Sequence, residues 1–140
     1  QRLPQGWVYA VDIAPRFVEY LSQVAANSKH RNMTPVLAGQ NAVRLAPGSI
    51  DLAFVCDTYH HFEFPGATLA SIHRALRPQG ALVVIDFERI QGKSREFVMK
   101  HVRAGKATFR TEIEAAGFAL AEEVQVAGLE ENYFLRFIKR

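Results

Sequence analysis

The chain has 140 residues, a net charge of +3, and 49% hydrophobic against 22% charged residues, the profile of one globular domain spanning 1–140. Lysine and arginine are scattered without a long run, which argues against a nucleic-acid partner, and no apolar stretch has the length of a membrane span. The lone cysteine, Cys56, excludes an internal disulfide framework, suits a cytoplasmic protein, and reads as a buried thiol at a strand end.

Trp7 to Ile13 is an expected strand that reaches an acid, Asp12. Pro15 then opens a helix to about Ala26, since its fixed φ and missing N–H suit the first turn. Phe17, Val18, Leu21, Val24 and Ala25 form its apolar face, and Asn27 and Ser28 end it. Lys29 to Asn32 is a polar surface connection. Pro35 to Ala38 is a short strand with Gly39-Gln40-Asn41 at its carboxyl end. Val43 to Gly48 is a loop, with Pro47-Gly48 as its turn signal.

Ser49 to Ile90 carries the clearest pattern. Two apolar runs, Leu52–Cys56 and Ala81–Ile85, each lead into an acid, Asp57 or Asp86. Continuous apolar runs of this length read as parallel strands buried on both faces. Ala67 to Leu76 between them is a helix with Leu69, Ile72, His73 and Leu76 on one face, stopped by Pro78 and Gly80. The result is a right-handed βαβ unit. Ligands of open α/β sheets sit outside the carboxyl ends of the strands, which singles out Cys56-Asp57-Thr58-Tyr59-His60-His61-Phe62.

Arg95 to Val102 reads as a short helix with Phe97, Val98, His101 and Val102 inward. Lys106 to Ala116 is a helix with Thr108 as its cap, Phe109, Ile113 and Ala116 inward, and Gly117 at its end. Phe118 to Val126 and Tyr133 to Lys139 alternate in period two and read as an antiparallel terminal pair. The last strand is mostly apolar and is expected inside the sheet.

This pattern resembles the class I S-adenosylmethionine-dependent methyltransferases, among them the small methyltransferase-domain proteins of bacteria. The resemblance covers nearly the whole chain. It rests on VYAVDIAP, SIDLAFVCDTYHHF, LRPQGALVVIDF and EIEAAGF, with Leu76-Arg77-Pro78-x-Gly80 before an apolar strand the most specific. It implies a Rossmann-like α/β sheet in the order 3-2-1-4-5-7-6 with an antiparallel terminal pair, and S-adenosylmethionine as cofactor. The family opens with a strand, a glycine-rich loop and a helix. The chain has nine glycines and no Gly-x-Gly, and Gly6 already precedes the family's second strand. The expectation is an amino-terminally truncated domain without its central first strand. An open row of backbone donors and acceptors is costly. Either the remainder lies outside this chain, or the second and fourth family strands pair directly, or a second copy closes the gap as a homodimer.

The resemblance also implies roles for particular residues. Asp12, with Ile13 beside it, matches the acid that binds the ribose hydroxyls; its plainer role is to cap the helix at Pro15. Gln40 and Asn41 stand where the family contacts adenine, or they are turn residues. Asp57 and Thr58 follow the fourth family strand on the cofactor side, and Tyr59, His60 and His61 line the space toward the acceptor; the plainer roles are packing for Tyr59 and Phe62, and a structural loop whose histidine rings hydrogen-bond to backbone. His60 is the expected base, because an imidazole titrates near neutrality. Asp86, His101 and Arg103 are expected substrate contacts, and Glu88 shares their edge of the sheet. Adjacent histidines are expected to point apart, so no metal site is expected, and no Cys-x-x-Cys or His-x-x-x-His pattern adds one.

The expected function is methyl transfer from S-adenosylmethionine to a small-molecule acceptor. The loop lacks the Asn/Asp-Pro-Pro-Tyr pattern of enzymes that methylate amino groups of bases or glutamine. The competing reading is a non-catalytic methyltransferase-like module that has lost its cofactor loop. A nicotinamide dehydrogenase would also use Asp12, but the antiparallel terminal pair and the absence of Tyr-x-x-x-Lys oppose it.

Overall fold

The computed structural model describes residues 6–27 and 32–140. The expected end of the first helix at Ser28 and the connection from Lys29 to Arg31 lie outside them. Strand β1 (Val8–Asp12) leads into helix α1 (Pro15–Asn27), and β2 (Met33–Leu37) returns parallel to β1 with Tyr9 opposite Thr34 and Val11 opposite Val36. The Ala14 carbonyl accepts the first helical N–H groups, from Phe17 and Val18. Val18, Leu21 and Ala25 are half-buried, whereas Phe17 and Val24, expected on the same face, are exposed. Two strands are too narrow to cover the full apolar stripe of a 13-residue helix.

The remaining strands form a four-stranded sheet in the order β3-β4-β6-β5. Strand β3 (Ile50–Cys56) pairs parallel with β4 (Leu76–Phe87), and β6 (Asn132–Lys139) runs antiparallel between β4 and β5 (Phe118–Val124). The apolar last strand thus lies inside the sheet, as expected. Helix α2 (Pro65–Ala75) crosses from β3 to β4. Its last carbonyls, on Arg74 and Ala75, accept the N–H groups of Gly48 and Ser49, so the loop before β3 satisfies the helix end.

Leu76 is the first residue of β4 and not the last of the helix: it caps α2 with extended backbone, φ −71° and ψ 139°. The register then shifts from Ile50 opposite Leu76 to Leu52 opposite Ala81. Within that irregularity Gln79 has φ 60°. A Cβ at Gly80 would stand 2.9 Å from the Arg77 carbonyl oxygen and 3.2 Å from that of Asp51. Only glycine lets the two backbones approach this closely.

Helices α3 (Glu96–His101) and α4 (Lys106–Ala115) pack with α2 on one face of the four-stranded sheet. Leu69, Ile72, Leu82, Val84, Phe109, Ile113, Leu135 and Phe137 share that core. Val98 and Val102 are buried as expected, but Phe97 and His101 are exposed, since a helix this short presents only one narrow stripe inward. Gly105, not Thr108, is the N-cap of α4, and Thr108 lies within its first turn.

The expectation that Leu52–Cys56 is buried on both faces is corrected. Ala53 and Val55 meet the core, whereas Leu52 is 54% and Phe54 59% exposed, and Cys56 is exposed with them. Among the described residues β1 pairs only with β2, and β3 only with β4. The direct pairing of the second and fourth family strands does not occur. Tyr9 on β1, Trp7 just before it, and Leu52 and Phe54 on β3 are all exposed.

Candidate functional site

The carboxyl ends of the parallel strands carry the polar residues singled out from the sequence. At the end of β1, Asp12 Oδ1 accepts the Ala14 N–H at 2.7 Å, which turns the chain into α1. Ile13 is exposed beside it. The Asp12 carbonyl accepts the Ala38 N–H at 2.9 Å, joining the end of β1 to the loop after β2. That loop is a tight turn closed by the Gly39 N–H on the Ala42 carbonyl at 2.8 Å, with Gln40 and Asn41 exposed at its tip. The structure therefore brings Asp12, Ile13, Gln40 and Asn41 to one edge.

At the end of β3, Asp57 adopts φ 48°, a left-handed backbone that aspartate tolerates better than most residues. Its N–H is held by the Ile85 carbonyl at 2.9 Å and its Oδ1 accepts Asn132 Nδ2–H at 2.8 Å. Burial, then the nearby Asp86 carboxylate, raises its carboxyl above the usual range. Thr58 donates to the Cys56 carbonyl at 2.8 Å, so its hydroxyl tightens the bend. Burial, then Asp57, raises the Cys56 thiol above its ordinary value, which keeps it protonated although it is exposed.

Tyr59 to His61 form a single 3₁₀ turn. It folds His60 onto the end of β4. His60 Nδ1 lies 2.7 Å from Asp86 Oδ1, and the His60 backbone N–H donates to Asp86 Oδ2 at 3.0 Å. Asp86 Oδ1 also accepts the Phe87 N–H at 2.7 Å. His60 is 5% and Asp86 0% exposed. Asp86 is therefore no substrate contact, as the sequence reading had it, but the carboxylate that orients His60. A carboxylate acceptor at Nδ1 leaves the lone pair on Nε2. That Nε2 is buried and has no hydrogen-bond partner.

His61 and His101 converge on the same ring. The His60 and His61 centroids are 4.1 Å apart, and those of His61 and His101 4.9 Å. The adjacent histidines thus do not point apart: the 3₁₀ turn sets their rings side by side at a 44° tilt. Burial, then His60 and His101, lowers the His61 imidazole below its ordinary value. His101 arrives from α3, where a sequence pattern placed it on the inner face.

Tyr59 is fully buried, and its hydroxyl donates to Glu112 Oε2 at 2.9 Å. Arg103 donates through Nη1 and Nη2 to both Glu112 oxygens at 2.7 Å and lies 4.5 Å over the Phe109 ring. Of its two expected roles, Tyr59 takes packing in the core and not contact with substrate. Arg103 is committed to Glu112 and the aromatic rings. Arg103 lowers the Glu112 carboxyl below its ordinary value, and burial raises the Tyr59 phenol. Glu112 is missed by sequence reasoning, because nothing local marks a residue paired 53 positions away.

Residues 2–84 match the methyltransferase-domain family. The chain belongs to that family. Its cofactor is S-adenosylmethionine. This methyltransferase domain is 24% identical over 110 residues to the uncharacterized protein YafE of Escherichia coli, covering 79% of this chain and 53% of YafE. The chain thus spans about half the length of that curated relative. An S-adenosylmethionine-dependent methyltransferase of Aquifex aeolicus superposes with a TM-score of 0.84 at 19% identity, covering 97% of this chain and 70% of that one. One of Mesorhizobium loti gives 0.72 at 16% identity, covering 96% and 81%. The likeness is one of fold, and it includes β1 and β2 as well as the four-stranded sheet. Among the described residues no helix is long and apolar enough to cross a membrane.

Proposed function

We propose that this methyltransferase domain transfers a methyl group to a small-molecule acceptor at the carboxyl edge of its strands, in the cytoplasm. The observation that carries the reading is the meeting of Asp12 with the Gln40-Asn41 turn through the Ala38 N–H and Asp12 carbonyl. An acid at the end of β1 suits a ribose diol, and an exposed amide suits an adenine edge. Asp12 and Ile13 would hold the ribose side, Gln40 or Asn41 the adenine, and Asp57 with Thr58 the side facing β3. These residues fit the nucleoside half of the cofactor. The family's glycine loop, which serves its amino-acid half, has no counterpart among the described residues.

When bound, the cofactor supplies an electrophilic sulfonium methyl. The work of the protein is alignment of the acceptor in a site that excludes water. His60, oriented by Asp86, is the residue we assign to assist the acceptor, with His61 and His101 beside it. The loop after β3 reads Cys56-Asp57-Thr58-Tyr59, which favours a small acceptor over an amino group of a nucleic-acid base.

Calorimetric titration of S-adenosylhomocysteine into the chain, with Asp12→Ala as control, tests the cofactor half. Micromolar binding that is lost in the control is the expected result. A folded chain that binds nothing at millimolar ligand would instead support the second reading, a non-catalytic module. Among the described residues β1 and β3 each keep one edge without a strand partner, which favours that reading, and a second copy would pair there in a homodimer. Sedimentation equilibrium separates a dimer from a monomer.

A further inference from the structure

His60, His61 and His101 each offer a ring nitrogen, and these three nitrogens lie within 4.8 Å of one another. We infer that the three histidines form a binding site for a divalent ion of the zinc class, with one coordination position left open at the carboxyl edge of the sheet. The donor set is one such ions take. Three neutral imidazoles and an open fourth position characterise tetrahedral zinc sites that bind a water or a substrate oxygen. His60 Nδ1 is occupied by Asp86, which leaves Nε2 as its ligand atom. A carboxylate behind a ligating histidine fixes the tautomer and raises its basicity. Asp86 is itself held by two backbone N–H groups, so this anchor is rigid.

A second observation points the same way. His60 Nε2 is buried without a hydrogen-bond partner. Leaving a buried acceptor without a partner is unfavourable, and a bound ion would supply that partner. Bonds of about 2.0 Å at tetrahedral angles set ligand nitrogens about 3.3 Å apart. Closing to that spacing asks for rotation of His61 and His101, which are both exposed, and leaves His60 in place. The site differs from an ordinary surface histidine pair in having one buried, pre-oriented member.

The inference deepens the role given to His60: its Nε2 would act on the acceptor through the ion. It does not depend on cofactor binding, because all three ligands come from the histidine turn and α3.

The test uses the tag-free 140-residue chain, stripped with chelator and dialysed. Zn²⁺ is titrated in competition with a chromophoric chelator, and Co²⁺ is added separately for its absorption spectrum. One equivalent per chain is expected, with the intense visible bands of four-coordinate cobalt. His101→Ala and His61→Ala should each weaken binding at least 10-fold. Asp86→Asn should weaken it by about 10- to 100-fold. Stoichiometry far below one would overturn the inference. So would unchanged affinity in the His61→Ala/His101→Ala double variant with a native circular dichroism spectrum. Both of these substitutions are at exposed positions, so the outcome does not hang on the buried Asp86. Titration of S-adenosylhomocysteine into the same samples reads the methyltransferase proposal separately.

Discussion

Asp86, at the carboxyl end of β4, holds both the ring and the backbone of His60, 26 residues earlier in the chain. One buried carboxylate thus fixes the turn after β3, the tautomer of His60 and the position of the neighbouring His61.

Removing that carboxylate should be felt by the whole domain. In Asp86→Ala the His60 imidazole, its backbone N–H and the Phe87 N–H all lose an acceptor. Leaving a buried donor without its acceptor costs about 1–3 kcal/mol. Urea unfolding should show a loss of that size. A loss near zero would mean that the turn does not depend on Asp86.

Gly80 is constrained by backbone on two sides. Gly80→Ala places a methyl 2.9 Å from the Arg77 carbonyl oxygen, where neither strand can yield cheaply. Overpacking of this sort costs about 1–3 kcal/mol. Thermal unfolding should show a clearly lower Tm for Gly80→Ala. Gly128→Ala would not serve as a neutral control, because its φ is 88°.

The clamp of Arg103 on Glu112 gives a pH signature. The Arg103 hydrogen bonds lower the Glu112 carboxyl below its ordinary 4.5, against burial, which acts the other way. The unfolded chain then binds that proton more tightly than the native one. The stabilisation is complete above the unfolded value and is lost as pH falls through the lower native value. Glu112→Gln should therefore cost about 1–2 kcal/mol at pH 7. The difference from the parent should shrink in stronger acid. Chemical unfolding at neutral and acid pH checks it; a difference that stays constant with pH would show that Glu112 acts through packing alone.

Two residues on neighbouring strands should respond unequally to substitution. Leu82 is fully buried in β4, and Leu82→Ala should cost about 2–5 kcal/mol. Leu52 on β3 is 54% exposed, and Leu52→Ser should stay within about 0.5 kcal/mol in this chain. Equal losses would mean that the outer face of β3 is covered in solution.

The strands, the βαβ crossover and the antiparallel terminal pair were legible because each follows from local period and punctuation. Ala81 to Ile85 read as a buried strand parallel to its predecessor, and it is buried and parallel to β3, with β6 antiparallel on its other side; Gly117 ends α4, with φ 95°. The side-chain pattern of Leu52 to Cys56 is equally apolar, yet its outer face is exposed, because burial belongs to the neighbours of a strand and not to its composition. Asp12, Gln40, Asn41 and the histidine turn could be placed at strand ends from the sequence alone. What each side chain does there was settled only by tertiary contacts. Asp86 faces inward to His60, Tyr59 passes its hydroxyl to Glu112, and His101 swings outward from α3 to meet two histidines forty residues earlier in about one turn of 3₁₀ backbone. Local sequence determines which elements form and where they stop, through backbone sterics and periodicity. Orientation and partnership across the chain depend on packing between distant segments, which no local pattern encodes.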